Sequence, residues 1–425
     1  MEKTENPQSE IQNPQFKEAF KFWLKLGFIS FGGPAGQIAL MHKELVERKK
    51  WITDESFLHA LNFCMLLPGP EAQQLATYNG WKMHGIKGGV TAGVFFVLPS
   101  VFILLALSYI YAKFGNIAEV SAILDGLKAV VVAIVVEAVI KIGKKAFKGW
   151  FSILIAALSF AAIYFFHVPF PLIVLGAGLL GFLYFKFQNQ DSKLEEKLSV
   201  VAVPKFQIVK IAAVFITLWL IPFMATGFAF GFDNLASRIY LFFTQTAFVT
   251  FGGAYAVLAY VNQAVVNSFG WLTTQQAIDG FALAETTPGP LIMVLQNIGF
   301  IAGWNNPGAA NQTMFAVICA LLATYATFLP SFMFIFIGAP YIEKLRGNQS
   351  LSSALAGVTA AVVGVILNLA IVFGATVIFP EFQTNWFALG LAIISFLALY
   401  FLKLDVLPII LFGGLCGLAK LFLFS

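Results

Sequence analysis

The chain has 425 residues, of which 59% are apolar and only 11% charged, with a mean hydropathy of +0.83 and a formal net charge of +5. Soluble globular proteins carry about 25% charged residues, so these values exclude an ordinary soluble fold and imply an all-α polytopic integral membrane protein. The basic residues cluster in a few short stretches, which marks membrane topology rather than a nucleic-acid footprint.

Residues 1–15 are polar and lack an apolar core, so no cleavable signal peptide is expected. Residues 16–30 form an amphipathic helix with Lys17, Lys21 and Lys25 on one face. Phe31-Gly32-Gly33-Pro34 breaks it, and a second short helix leads to the charged stretch His42–Lys50, which must lie in water, followed by Trp51 as an interfacial anchor. Residues 55–67 and 71–81 flank Pro68-Gly69-Pro70; Lys82, His84 and Lys87 then mark a polar edge. Two prolines and a glycine forbid an unbroken helix there, and Pro70 suits the first position of the next one. Residues 89–111 and 122–140 are long enough to span a bilayer. A basic loop follows at Lys141, Lys144, Lys145 and Lys148, then a hairpin of two spans, 150–166 and 169–185, turned at His167-Val168-Pro169. Residues 187–205 read as a polar linker and 206–230 as one linking transmembrane helix.

The pattern then starts over, giving repeats at 16–186 and 234–425. Phe31-Gly32-Gly33 recurs as Phe251-Gly252-Gly253, Trp51 as Trp271, and Pro68-Gly69-Pro70 as Pro288-Gly289-Pro290, all at an offset of 220. Beyond an insertion near Asn305–Asn311 the offset is 231, pairing Leu98-Pro99-Ser100 with Leu329-Pro330-Ser331 and Gly126 with Gly357. Later it is 236, pairing Trp150-Phe151 with Trp386-Phe387.

The basic residues set the relative orientation of the halves. Lys43, Arg48, Lys49 and Lys50 have no basic counterpart in 262–270, and the lysines of 141–148 have none in 372–379. Conversely, Lys344 and Arg346 lie opposite a weakly basic 113–116, while Arg238 runs against the trend. The expectation is two inverted-topology repeats, with the N-terminus cytoplasmic and the C-terminus extracytoplasmic. Keeping both basic loops of the first half on one side requires the broken segments to enter and return as re-entrant hairpins. The alternative, in which both cross, moves the 42–50 loop outside.

Paired interrupted helices in inverted halves are the mark of a secondary transporter with a midplane site. Helix starts at such breaks expose unpaired N–H groups and the positive end of the helix dipole, which suits an anion. The candidate binding residues are Gly32, Gly33, Pro68, Gly69, Pro70, Glu71, Gln73, Gln74, Gly252, Gly253, Glu285, Thr286, Thr287, Pro288, Gly289, Pro290, Gln296 and Asn297. Glu71, Lys128, Glu137 and Glu285 are candidates for charge or proton coupling, because intramembrane ionisable residues default to function. Bland readings compete: Glu71 as a carboxylate favouring a helix start, and Glu137 as an i,i+4 partner of Lys141. Glu71 has Leu291 as its counterpart, so only the second helix start is free of a competing negative charge. Lys82, His84 and Lys87 either guide anions or anchor a helix end.

These motifs resemble the chromate ion transporter (CHR) family in its long, two-domain form. The resemblance rests on Phe31-Gly32-Gly33-Pro34, Trp51, Leu67 through Ala76, Gly80 and Gly93 through Ser100, and on Phe251-Gly252-Gly253, Trp271, Thr287 through Pro290 and Ala360 through Val365. It covers about residues 16–420 and implies an inner-membrane protein that exports chromate, with sulfate as the natural look-alike. The expected partners are a chromate or sulfate-like oxyanion and the lipid bilayer, with no nucleic acid, and a homodimer as a possible assembly. No cofactor or metal is expected. The glycines of Gly176–Gly181 match GxGxxG inside a membrane span and read as helix packing rather than a nucleotide site. Cys64, Cys319 and Cys416 read as small apolar residues. An enzyme would need an acid/base or metal cluster that the scattered His42, His59, His84 and His167 do not make, and an anion channel is the second alternative.

Overall fold

A computed structural model describes residues 14–188, 205–251, 253–339 and 349–424. Most described residues are helical, in sixteen α-helices, and none is in a strand. The first half holds α1 (Phe16–Ile29), α2 (Gly33–His42), α3 (Asp54–Cys64), α4 (Glu71–Phe114), α5 (Ala118–Ala146), α6 (Trp150–Tyr164) and α7 (Phe170–Gln188). Next comes α8 (Lys205–Phe230). The second half holds α9 (Leu235–Val249), α10 (Ala254–Asn262), α11 (Thr274–Glu285), α12 (Val294–Asn305), α13 (Gln312–Gly338), α14 (Gln349–Ile378), α15 (Trp386–Tyr400) and α16 (Val406–Phe424). Among the described residues five stretches are long and apolar enough to cross a membrane: Glu71–Phe114, Ile208–Phe230, Gln312–Gly338, Ser352–Ile378 and Val406–Leu423. Gly252, Lys344 and Arg346 and nearly all of the polar tail and linker lie outside the described residues.

The charged stretch expected as a loop is instead a π-helical turn, Lys43–Arg48, which continues α2 and buries Leu45. Its counterpart Gln263–Ser268 is also π-helical, again at an offset of 220. Likewise Lys141, Lys144 and Lys145 sit on the last turns of α5 rather than in a loop. In both cases the helix keeps its backbone bonds while the lysine heads reach outward.

Both broken segments of each half are helical hairpins. Glu18, in the first turn of α1, pairs with Lys49 at 3.1 Å, so the chain has come back to the start of α1 after the Phe-Gly-Gly break. Ser56 near the start of α3 meets Lys82, and Phe63 packs on Tyr78 at 6.0 Å, so α3 and the first arm of α4 run antiparallel around Pro68-Gly69-Pro70. In the second half Gln276 and Asn305 bond at 3.0 Å across the equivalent hairpin. The long α4 reverses at His84-Gly85, where Gly85 adopts a left-handed φ of 60°. The close approach of the arms at this corner needs glycine: a Cβ on Gly80 or Gly88 would strike the other's carbonyl.

The second arm of α4 measures the molecule. At its start His84 Nε2 lies 2.9 Å from the Pro14 carbonyl, beside the base of the α1 hairpin. At its far end Tyr109 packs on Trp304 at 6.1 Å and the Tyr111 hydroxyl donates to Asp279 at 2.9 Å, beside the base of the α11–α12 hairpin. Hairpin bases from the two halves therefore flank opposite ends of one helical arm. Ser100, near the middle of that arm, touches the tip at Pro288.

The halves also exchange helices. The long α14 packs on α6 and α7 of the first half, and α5 packs on α15 and α16 of the second. Close contact at each seam depends on glycines: a Cβ on Gly126 would run into the Gly413 carbonyl, and one on Gly181 would lie 3.1 Å from the Gly357 Cα. Of the Gly176–Gly181 run read as helix packing, Gly181 has that use, while Gly176 faces open space. By contrast α8 lies at the periphery, with Ile216, Ile221 and Phe228 exposed. Cys64 and Cys319 are buried and all three cysteines are free.

Candidate functional site

The four interrupted segments bring their tips together. The Gly69 amide donates to the Thr250 carbonyl at 2.8 Å, and the Gly289 amide donates to the Ser30 carbonyl at 2.6 Å. Each bond joins the Pro-Gly-Pro of one half to the Phe-Gly-Gly break of the other. The two bonds are the same bond exchanged between repeats, as a two-fold relation requires. Ser30 and Thr250 are equivalent in a second way: each hydroxyl donates back to the carbonyl four residues earlier, Leu26 and Thr246, which closes α1 and α9.

Glycine at the tips is a steric necessity. Gly69 has φ of 126° and Gly289 has φ of 95°, both costly for any other residue. A Cβ on Gly69 would lie 2.7 Å from Ser331 Oγ, and one on Gly289 would strike Ser100 Oγ. Ser100 and Ser331 follow the prolines inside α4 and α13, so the recurring Leu-Pro-Ser supplies a hydroxyl from each long helix to the opposite tip.

The helix starts at the tips carry no side-chain cap. None is present for α2 after Gly32, α4 after Pro70, α10 after Gly253, or the 3₁₀ turn Leu291–Met293 after Pro290. The hairpin bases differ: Thr53 caps α3, and Thr273 caps α11 with a reciprocal bond from Gln276. Backbone N–H groups at an uncapped start have no intrahelical partner, so the tips present donors and the positive ends of helix dipoles toward one another.

Not all the predicted polar side chains are free to act there. Gln74 Nε2 donates to the Pro68 carbonyl at 2.7 Å, while Gln73 bonds Thr77 at 3.1 Å and both glutamine Oε1 atoms are buried without a partner. The Thr286 and Thr287 hydroxyls tie back to Leu283 and Ala284 at the end of α11. Gln296 is committed at both ends, to the Val101 carbonyl at 2.8 Å and to Thr324 at 3.0 Å, so it locks α12 between α4 and α13. Asn297 donates to Ser108 at 2.8 Å and leaves its Oδ1 buried and unpaired. Gly32, Gly33 and Gly253 all adopt positive φ at the breaks. Glu71 opens α4 half-buried, with no hydrogen-bond or ion-pair partner among the described residues.

Three of the four coupling candidates, Lys128, Glu137 and Glu285, lie on α5 and α11, which pack together, while Glu71 stands apart at the start of α4. Lys128 is not an unpaired cation: its Nζ is 2.7 Å from Asp125 and 3.6 Å from Asp279. Asp279 also accepts from the Tyr111 hydroxyl. Two turns along α11, buried Glu285 accepts from Tyr255 at 3.4 Å. Glu137 pairs with Lys141 one turn on, as its bland reading expects.

Sequence reasoning missed several residues here. Gln37 donates to the Gly289 carbonyl at 2.5 Å across 252 positions, a contact no local pattern signals. Asn79 is fully buried with both amide atoms unpaired. Asp279 could have been found, because the rule that selected Lys128 applies equally to an aspartate in an apolar helix. Among the described residues no cluster of three His, Cys, Asp or Glu could hold a metal.

Known proteins resemble both halves of the chain. The sequence profile described as Chromate transporter matches twice, at residues 17–182 and 237–418. The chain is 33% identical over 412 residues to the chromate transport protein of Pseudomonas aeruginosa, covering 95% of this chain and 92% of that one. It is 32% identical over 360 residues to a probable chromate transport protein of Synechococcus elongatus, covering 84% of each. To the chromate transport protein of Cupriavidus metallidurans it is 30% identical over 361 residues, covering 84% and 82%. No solved structure matches.

Proposed function

The chain belongs to the chromate transporter family, and from that premise we propose that it exports a small divalent oxyanion, chromate foremost, across the cytoplasmic membrane. The reading rests on one observation above the others: four uncapped helix starts at breaks whose tips are bonded across the two halves. Such a junction offers backbone donors to a guest that carries its own negative charge, without a buried cation to neutralise first. Interrupted backbone inside a bilayer is tolerated where protein or a water-filled cavity satisfies it, and the tips fit that condition if the hairpins enter from opposite faces. Hairpin bases at the two ends of the second arm of α4 support inverted repeats with the site midway.

The membrane potential suffices as a driving force. At about 100 mV, negative inside, each exported charge gains ~2.3 kcal/mol, so a dianion gains ~4.6 kcal/mol. That is more than a thousandfold in concentration. Glu71 is assigned a coupling role: it stands at the start of α4 where an anion would bind, and it is neutralised or displaced during the cycle. Sulfate is the second substrate reading, because it shares the shape and charge of chromate.

The decisive experiment is uptake of labelled chromate and of labelled sulfate into inside-out vesicles, with and without an imposed potential and pH gradient. Saturable uptake driven by an interior-positive potential supports potential-driven export. Flux far above carrier turnover would mark a channel instead. Absence of uptake for both anions would overturn the proposal.

A further inference from the structure

α1 carries Lys17, Lys21 and Lys25 at a spacing of four, directly beside an exposed apolar stripe of Phe16, Phe20, Leu24 and Phe28. A groove of about 220 Å³ runs along the lysine side, lined by Glu18, Lys21, Phe22, Lys25, Leu26, Ile29, Glu44 and Lys49. It starts at the hairpin base, where Glu18 meets Lys49, and ends at Ile29, the residue before Ser30. Glu18 and Ile29 are eleven residues apart, about 16 Å along a helix. The groove therefore reaches from the base to the tip junction, since the Ser30 carbonyl receives the Gly289 amide.

The charges in this groove do not cancel. Lys49 is taken by Glu18 and lies 4.4 Å over the Trp51 ring, and Glu44 is taken by Arg48 at 2.7 Å. Lys21 and Lys25 have no ion-pair or hydrogen-bond partner among the described residues. Two unpaired positive charges remain in a cavity with room for several waters. Lys25 sits just over one turn before Ser30. A lysine that deep against hydrocarbon would cost about 3 kcal/mol, so it belongs to a water-filled cavity. The other half lacks the device: the positions 220 residues on from Lys21, Lys25, Lys49 and Glu44 are Leu241, Gln245, Phe269 and Ala264.

We propose that this groove is the inlet by which the oxyanion reaches the hairpin tips, and that Lys21 and Lys25 hold the doubly negative guest there before it passes Ile29. The inlet rests on the transport reading above and gives it a defined entrance on one face only. A phosphate of an anionic lipid shares the recognised chemistry, and the experiment separates the two sources.

The full chain, with Cys416→Ala, is reconstituted in liposomes with and without anionic lipid. Lys25→Cys is probed with a membrane-impermeant anionic thiol reagent, with sulfate as the competing ion because it does not oxidise thiols. Labelling that sulfate slows in neutral-lipid liposomes supports the inlet. No labelling overturns it, even where the unsubstituted protein transports. The paired variant Lys21→Gln/Lys25→Gln should raise the half-saturating sulfate concentration about tenfold, more than it lowers the maximal rate, and Lys21→Arg/Lys25→Arg should restore it. Unchanged half-saturation overturns the inlet while leaving transport intact. An effect of the glutamine pair seen only with anionic lipid assigns the groove to a headgroup and also overturns it. Labelling without sulfate protection, in a protein that moves no oxyanion, removes the transport reading and this ligand together.

Discussion

The two Pro-Gly-Pro hairpins share a backbone and differ in chemistry. Both turn on a positive-φ glycine, both bond the opposite Phe-Gly-Gly break, and both touch a serine that follows a helical proline. Around the first, Glu71 opens the helix; around the second, Leu291 does. The seam beside the second hairpin carries Asp279 and Glu285, whereas the equivalent positions of the first are His59 and Met65. The backbone thus supplies a symmetric cradle, and the ionisable side chains make its two approaches unequal.

Substituting the tip glycines strikes the shared part and has the largest expected effect. Gly289→Ala and Gly69→Ala should each lower oxyanion uptake about a hundredfold, since small misplacements at a binding junction cost that much, while the protein still elutes as a folded species. Gly270→Ala is the control: it has φ of 62° but open space around it, so it should cost about 1 kcal/mol of strain and keep transport. Equal losses in all three would mean that strain, not the contact with Ser100 and Ser331, explains the glycines.

The unequal part is tested by the ion pairs. Asp279→Ala should destabilise the protein by about 2 kcal/mol, because it leaves the Tyr111 hydroxyl without its acceptor and Lys128 with Asp125 alone. His59→Ala, which removes an exposed ion pair with Glu55 at 3.7 Å, should change thermal unfolding in detergent by less than about 1 kcal/mol. Combining Lys128→Met with Asp279→Leu should recover most of the loss; no recovery would assign Asp279 to something other than pairing Lys128.

A smaller effect is expected at the helix starts. Leu291→Glu should weaken oxyanion binding at least about tenfold by placing a like charge at the free start. Glu71→Gln should flatten the pH dependence of uptake; unchanged pH dependence and rate would end its coupling role. The smallest effects belong to the hairpin bases. Thr53→Ala and Thr273→Ala should each cost about 1 kcal/mol in thermal unfolding, the latter more because Gln276 returns the bond. Transport should hold in both.

Much of this is legible in the sequence. Pro68, Gly69 and Pro70 announce a break because proline lacks a donor and clashes with the preceding turn, and the constant offset of 220 places the second break without further information. The lysine stripe on α1 was also legible, being a simple helical period. Other features were not. The Lys43–Arg48 stretch looked like a loop because its charges demand water, yet long side chains reach water from a helix. The pairing of Lys128 was only half legible: Asp125, 2.7 Å away, stands three positions earlier on the same helix, whereas Asp279 at 3.6 Å is far away in sequence and comes from the other half.

Membership of the membrane class, the breaks and the two-fold repetition follow from composition and local backbone rules, which act over a few residues and leave a mark in the sequence. Which tip meets which was decided only by the tertiary structure. Gly69 could satisfy its amide on any nearby carbonyl; that it finds Thr250 depends on α14 wrapping the α6–α7 hairpin and α5 wrapping the α15–α16 hairpin. Such pairings are set by close packing at glycine seams such as Gly126 on Gly413, a property of two surfaces together that neither surface's sequence contains alone.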